Sequence, residues 1–169
     1  MTDQTLAPGV TPQAATDAPV FTIERIYVKD LSLENPNSPQ SFLLQDSPQI
    51  EVALQTRGEP VGDNIFESVL TITVTAKVGE QTIFLVEVAQ AGIFQIRNIP
   101  EQDVQPILGV HCPNILFPYA RESVASAIIR AGYPPVHLAP INFEALYAQQ
   151  LQQMQAAQAP QSPIIQTAH

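Results

Sequence analysis

The clearest pattern in this chain of 169 residues is a strict alternation over 65–78. Phe66, Ser68, Leu70, Ile72, Val74, Ala76 and Val78 hold the even positions, with Glu67, Thr71, Thr73, Thr75 and Lys77 between them. A period of two sends one set to a core and the other to water, which predicts a half-buried β-strand. Gly79-Glu80 then turns the chain into a partner strand over 81–95, completing a hairpin. On that strand Phe84, Val86, Val88 and Gln90 share one face, while Leu85, Glu87 and Ala89 share the other. Upstream, 21–34 also reads as a strand, with Phe21, Ile23, Arg25, Tyr27, Lys29, Leu31 and Leu33 at the odd positions. Alternation there places Asp30 and Glu34 together on the even face, with Ile26 and Val28. The prolines at 36, 39 and 48 mark 35–49 as a connector, and 50–57 follows as a short strand.

Beyond residue 110 the pattern changes. Residues 118–131 predict a helix, with Pro118 in its first turn and Gly132 as its stop. Ala120, Val124, Ala127, Ile128 and Ala131 form a stripe, but Ala125 and Ile129 lie off it. A helix apolar over so much of its circumference is usually covered on more than one side. Either a second subunit or loops of the same chain could supply the second cover. Pro134, Pro135 and Pro140 make 132–142 an extended crossover, after which Asn142 caps a helix at 143–157. Its stripe is Phe143, Leu146, Tyr147, Leu151 and Met154, and its polar face is mostly Gln. Four strands followed by helices imply an α+β fold, an antiparallel sheet with helices packed on one face. One domain over 21–155 is expected, between disordered tails at 1–20 and 156–169 that are rich in Pro, Ala, Gln and Thr or Ser.

Charge narrows the function. Seven Lys and Arg against 16 Asp and Glu leave a formal charge of −9, which repels phosphate backbones, so no nucleic-acid partner is expected. The lone Cys112 permits no internal disulfide and suits a reducing cytoplasm. No apolar run approaches the ~18 residues of a membrane span, and the first 24 residues carry no basic group of a secretory signal, so no membrane insertion is expected. Catalysis has little to stand on. His111 and Cys112 are adjacent without an orienting partner, and a lone Cys is more often a small buried hydrophobe. One Cys and scattered His do not make a zinc set, and no Gly-rich phosphate loop is present. No catalytic residue, metal or cofactor is therefore expected. The second half is unusual in another way: from Ser123 to His169 only Arg130 and Glu144 are charged. A surface of apolar side chains and Gln suits binding other chains with little sequence preference, although it could equally be core and subunit interface.

Several separated strings point the same way. They are Arg25-Ile26-Tyr27-Val28-Lys29-Asp30, Gln90-Ala91-Gly92-Ile93-Phe94, His111-Cys112-Pro113-Asn114-Ile115-Leu116-Phe117-Pro118-Tyr119-Ala120-Arg121-Glu122 and Ala139-Pro140-Ile141-Asn142-Phe143-Glu144-Ala145-Leu146-Tyr147. In this order, from about Phe21 to Met154, they resemble the SecB family of bacterial protein-export chaperones.

The resemblance implies a SecB-like fold and an ATP-independent holdase in the cytoplasm, not an enzyme. Such a holdase keeps precursor proteins unfolded and delivers them to the SecA motor ATPase. It also implies a homotetramer, a dimer of dimers, with no bound cofactor. By position, Phe84, Val86, Val88, Gln90 and Tyr147 match the family's contacts to unfolded clients, and Asp30, Glu34, Leu85 and Glu87 match its acidic SecA-binding patch. Two features depart from the family. Asp46 stands where many members carry a Trp, and the C-terminal tail is uncharged where theirs is acidic. Two other readings are open: a SecB-like chaperone for other clients, such as toxin–antitoxin proteins, and a small hydrolase using Cys112.

Overall fold

A computed structural model describes residues 17–158. Most of both expected tails lies outside the described residues, but 156–158 belong to the last helix rather than to a tail. Strands β1 (Val20–Glu34), β2 (Gln49–Gly62), β3 (Ile65–Val78) and β4 (Gln81–Arg97) form one antiparallel sheet in the order β1-β4-β3-β2. The expected β3–β4 hairpin is present, with Gly79 at φ 57° in its turn, a conformation that costs Gly little. Strand β2 runs five residues past the expected end. Pro60 does not stop it, because β2 lies at the sheet edge, where a missing N–H leaves no ladder bond broken.

Strand β1 departs from simple alternation. Its pairing with β4 slips twice, between Ile23 and Arg25 and between Val28 and Asp30, so Glu24 and Lys29 are the extra residues of two β-bulges. Phe21, Ile23, Ile26, Val28, Leu31 and Leu33 thereby all face the same side as Phe84–Phe94 of β4. Arg25, Tyr27, Asp30, Ser32 and Glu34 face the other. Asp30 and Glu34 do share a face, as expected, but with Tyr27 instead of Ile26 and Val28.

Helices cover one face. The helical run begins at Glu101, well before the expected 118. It comprises α1 (Glu101–Pro106), a π-helical turn over Ile107–His111, and α2 (Cys112–Arg130). Pro113 opens α2, and Pro118 lies inside it. After the crossover, α3 (Phe143–Gln158) follows, with Asn142 Oδ1 accepting the Ala145 N–H at 3.0 Å as its cap. The core lies between α2 and the sheet, where Leu70, Ile72, Val74, Val86, Val88, Phe94, Leu116, Ala120, Val124 and Ile128 are fully buried.

The helical run approaches the sheet over a row of small residues. Gly58, Ser68 and Gly92 stand side by side on β2, β3 and β4. A Cβ on Gly58 would fall 2.8 Å from Leu108, and one on Gly92 would fall 2.7 Å from the Phe94 ring and 3.1 Å from Leu116. Overpacking of this kind costs ~1–3 kcal/mol. Gly92→Ala is therefore expected to destabilise the protein by about that amount in urea unfolding at fixed protein concentration.

Candidate functional site

Two cavities open at the rim of the helical layer. The larger, about 870 Å³, runs beside β2 under α3. Its wall from α3 is Phe143, Leu146, Tyr147 and three glutamines, and the sheet adds Leu54, Thr56, Thr71, Ala89 and Asp30. Helix α3 is held there because Gly109, in the π-helical turn, has no side chain: a Cβ would stand 2.5 Å from the Tyr147 ring. The smaller cavity, about 490 Å³, lies at the other end, between the connector and the crossover. Phe42 and Tyr133 stack there with ring centroids 5.0 Å apart, and Phe84 lies 5.2 Å from the same Tyr133 ring. The Tyr133 hydroxyl bonds Ser41 at 2.7 Å and Asn35 at 3.2 Å, which ties the connector to the crossover. Asp46 lines this cavity and adds a carboxylate to its wall.

The opposite face of the sheet is turned away from α2, and α3 borders it where Asp30, Thr71 and Ala89 line the larger cavity. Across it Asp30 stands beside Ala89, Ser32 beside Glu87, and Glu34 beside Leu85. Asp30 and Glu34 are exposed, and Leu85 and Glu87 are partly so. Thr73 Oγ1 donates to Glu87 Oε2 at 2.9 Å, fixing that carboxylate from β3. The four expected acidic-patch positions therefore share one surface. Farther along it, Glu67 is nearly buried, and it accepts hydrogen bonds from the Tyr27 hydroxyl and from Lys29 Nζ, the latter at 2.6 Å. Burial pushes its pKa up, but the bonds from Lys29 and Tyr27 outweigh that and hold it below the usual carboxylate value. The same bond, together with burial, raises the Tyr27 hydroxyl to about 12.

The other expected set divides. Tyr147 lines the larger cavity and Phe84 the smaller. Val86, Val88 and Gln90 lie fully or almost fully buried, on the sheet face that α2 covers. They shape the floor of the helical layer and do not line either cavity. Asp30 and Tyr147, expected on separate surfaces, both border the larger cavity. Sequence reasoning missed Phe42, Leu44 and Tyr133. Their signal was the apolar run Phe42-Leu43-Leu44 inside a proline-punctuated connector, where nothing local calls for apolar side chains.

Among the described residues no three His, Cys, Asp or Glu gather as metal ligands, and no helix is long and apolar enough to cross a membrane. Cys112 is buried at 0% exposure, and desolvation lifts its thiol to about 12. Almost none of it is thiolate at neutral pH, so it is a poor nucleophile.

Known proteins align with most of this framework. The family described as "Preprotein translocase subunit SecB" matches residues 14–154. A protein-export protein SecB of Chromobacterium violaceum is 67% identical over 132 residues, covering 78% of this chain and 88% of its own. One from Dechloromonas aromatica is 58% identical over 136 residues, covering 80% and 90%. Among solved structures, a Mycobacterium tuberculosis SecB-like chaperone, in complex with a ChAD peptide from an antitoxin, overlays with a TM-score of 0.59. That overlay covers 72% of this chain and 90% of the other at 15% identity, and it bears on the fold alone.

The Cys112 environment gives a direct check. Iodoacetamide at neutral pH is expected to leave the folded protein unlabelled over hours and to label it fully in denaturant, as read by mass spectrometry. Rapid labelling of the native protein would show that the thiol is reachable.

Proposed function

Because this chain belongs to the SecB family of non-enzymatic protein-export chaperones, we propose that it holds unfolded precursors along the two rim cavities and offers the sheet face turned away from α2 to SecA. The larger cavity carries this reading. Its α3 wall combines Leu146 and Tyr147 with Gln149, Gln150 and Gln153. Apolar side chains of an extended client can bury against the first pair. Client backbone N–H and C=O groups can bond the carboxamides, each of which both donates and accepts. Neither contact depends on a particular sequence. The aromatic cavity around Phe42, Phe84 and Tyr133 takes a bulky side chain at the far end. In this reading Tyr147 meets the client directly, while Phe84, only 2% exposed, backs the aromatic cavity and Val86, Val88 and Gln90 act from beneath.

Asp30, Glu34, Leu85 and Glu87 form the SecA contact, an acidic surface with one apolar side chain that suits a basic partner. The protein works in the cytoplasm as a homotetramer, a dimer of dimers, without ATP or a cofactor. The outer side of α2 supports assembly, because Tyr119 and Ile129 are 51% and 56% exposed on a helix with few charges. The outer edge of β1 supports it too. That edge is long and unpaired within the subunit, and it exposes Ile23, Val28 and Leu31, a surface that attracts another chain.

Two outcomes test these contacts. Leu146→Glu puts a charge on the α3 wall at a position already 40% exposed, so the fold should tolerate it. Affinity for an unfolded precursor is expected to fall about tenfold, equivalent to ~1.4 kcal/mol, in fluorescence titration, with SecA affinity unchanged. Neutralising Asp30 and Glu87 together, as Asn and Gln, is expected to weaken SecA binding about tenfold in calorimetry at 0.1 M salt, and Glu87→Gln alone, which lies outside both cavities, should leave client affinity unchanged. The difference between wild type and variant should shrink at 1 M salt, where the Debye length drops from ~10 Å to ~3 Å.

A further inference from the structure

The acidic face depends on a change of phase in β1. Val28 pairs with Gln90 on the helix side, and Asp30 pairs with Ala89 on the open side, so Lys29 is the extra residue. If the bulge were lost from this stretch, alternation would carry Asp30 and Glu34 toward the helices and turn Leu31 and Leu33 outward. Hydrophobic burial in the subunit opposes that slip only weakly. Leu31 and Leu33 are still 47% and 37% exposed, so little apolar area changes hands.

Polar contacts oppose it from both sides. On the helix side, buried Gln90 donates from Nε2 to the Tyr27 carbonyl at 2.9 Å, and Ser123 of α2 bonds its Oε1 at 3.4 Å. On the open side, the Tyr27 hydroxyl and Lys29 Nζ converge on one carboxylate, Glu67. Glu67 belongs to β3, so both side chains must reach across β4. Their path runs diagonally over Ala91, the small residue that β4 sets beside Tyr27, while Ile93 stands directly opposite Glu67. A carboxylate only 6% exposed is costly unless paired, and Lys29 pairs it from its place in the bulge.

We propose that Glu67 is a positioning residue for the acidic face. It clamps Tyr27 and the bulged Lys29, and so keeps Asp30 and Glu34 in register with Glu87 and Leu85. This inference rests on the assignment of that face to SecA.

Calorimetry of the full-length protein against SecA tests it with Glu67→Gln and Tyr27→Phe. Both variants are expected to bind SecA more weakly, Glu67→Gln by roughly three- to tenfold, with assembly mass unchanged. Tyr27→Phe leaves every charge in place, so its smaller loss reports position and not a changed field. If either variant fails to fold, the other carries the test. Combining the folded variant with Asp30→Asn separates positioning from general loosening. A residue acting through Asp30 adds little once Asp30 is neutral, whereas independent effects multiply. Full multiplication, or unchanged SecA affinity in the folded variant, overturns the proposal. Amide exchange over 28–34 should also rise in the variants. If neutralising Asp30 and Glu87 leaves SecA binding intact while that exchange rises, the clamp stands and the assignment of the face falls. If neutralisation weakens binding and the clamp variants do not, the clamp alone falls.

Discussion

The close approach of the helical run to the sheet is the constraint on which the other features depend. It is set by side chains that are missing. Gly58, Ser68 and Gly92 leave a shallow row across three strands, and Leu108 and Leu116 descend into it. With the run held this low, the buried valines and isoleucines of β3 and β4 join α2 in one core cluster. The same economy recurs one layer out, where Gly109 admits the Tyr147 ring and so fixes α3 beside β2. The larger cavity is the space left between a low-lying helical run, a displaced α3 and a sheet edge.

How much of this was legible in the sequence varies by element, for physical reasons. Strands β3 and β4 declare themselves because each has one fully buried face, and burial enforces a period of two. Strand β1 carries its own code in a less familiar form. Its helix-facing residues fall at 21, 23, 26, 28, 31 and 33, and the steps of three at 24 and 29 are the two bulges. Strict alternation reads that pattern as noise. The helical run was harder still. Pro106, Pro113 and Pro118 each lower helix propensity, and sequence reasoning accordingly began the helix at the last of them. Tertiary packing overrides that preference, since Leu108, Cys112, Leu116 and Phe117 all belong to the core.

The interaction surfaces were legible to a similar degree. Alternation can say that Phe84, Val86, Val88 and Gln90 share a face. It cannot say whether a helix covers that face, so all four residues expected at a surface lie buried. The acidic positions fared better because cross-strand neighbours on one sheet face stay neighbours whatever packs on the other. The aromatic cavity depends on contacts such as Phe42 with Tyr133, separated by 91 positions along the chain, and no local period reports a contact of that kind.

The buried thiol of Cys112 has a bearing on the kind of chain this protein can hold. Precursors bound for an oxidising compartment travel extended, with cysteines still reduced and meant to pair later. A holding surface keeps such a chain close for long periods. Any accessible thiolate of its own would then compete in disulfide exchange, which needs both ionisation and access. Here the only cysteine of the sequence offers neither. The protein is sulfur-inert toward its cargo, and it can let a client go with every cysteine still free to choose its partner.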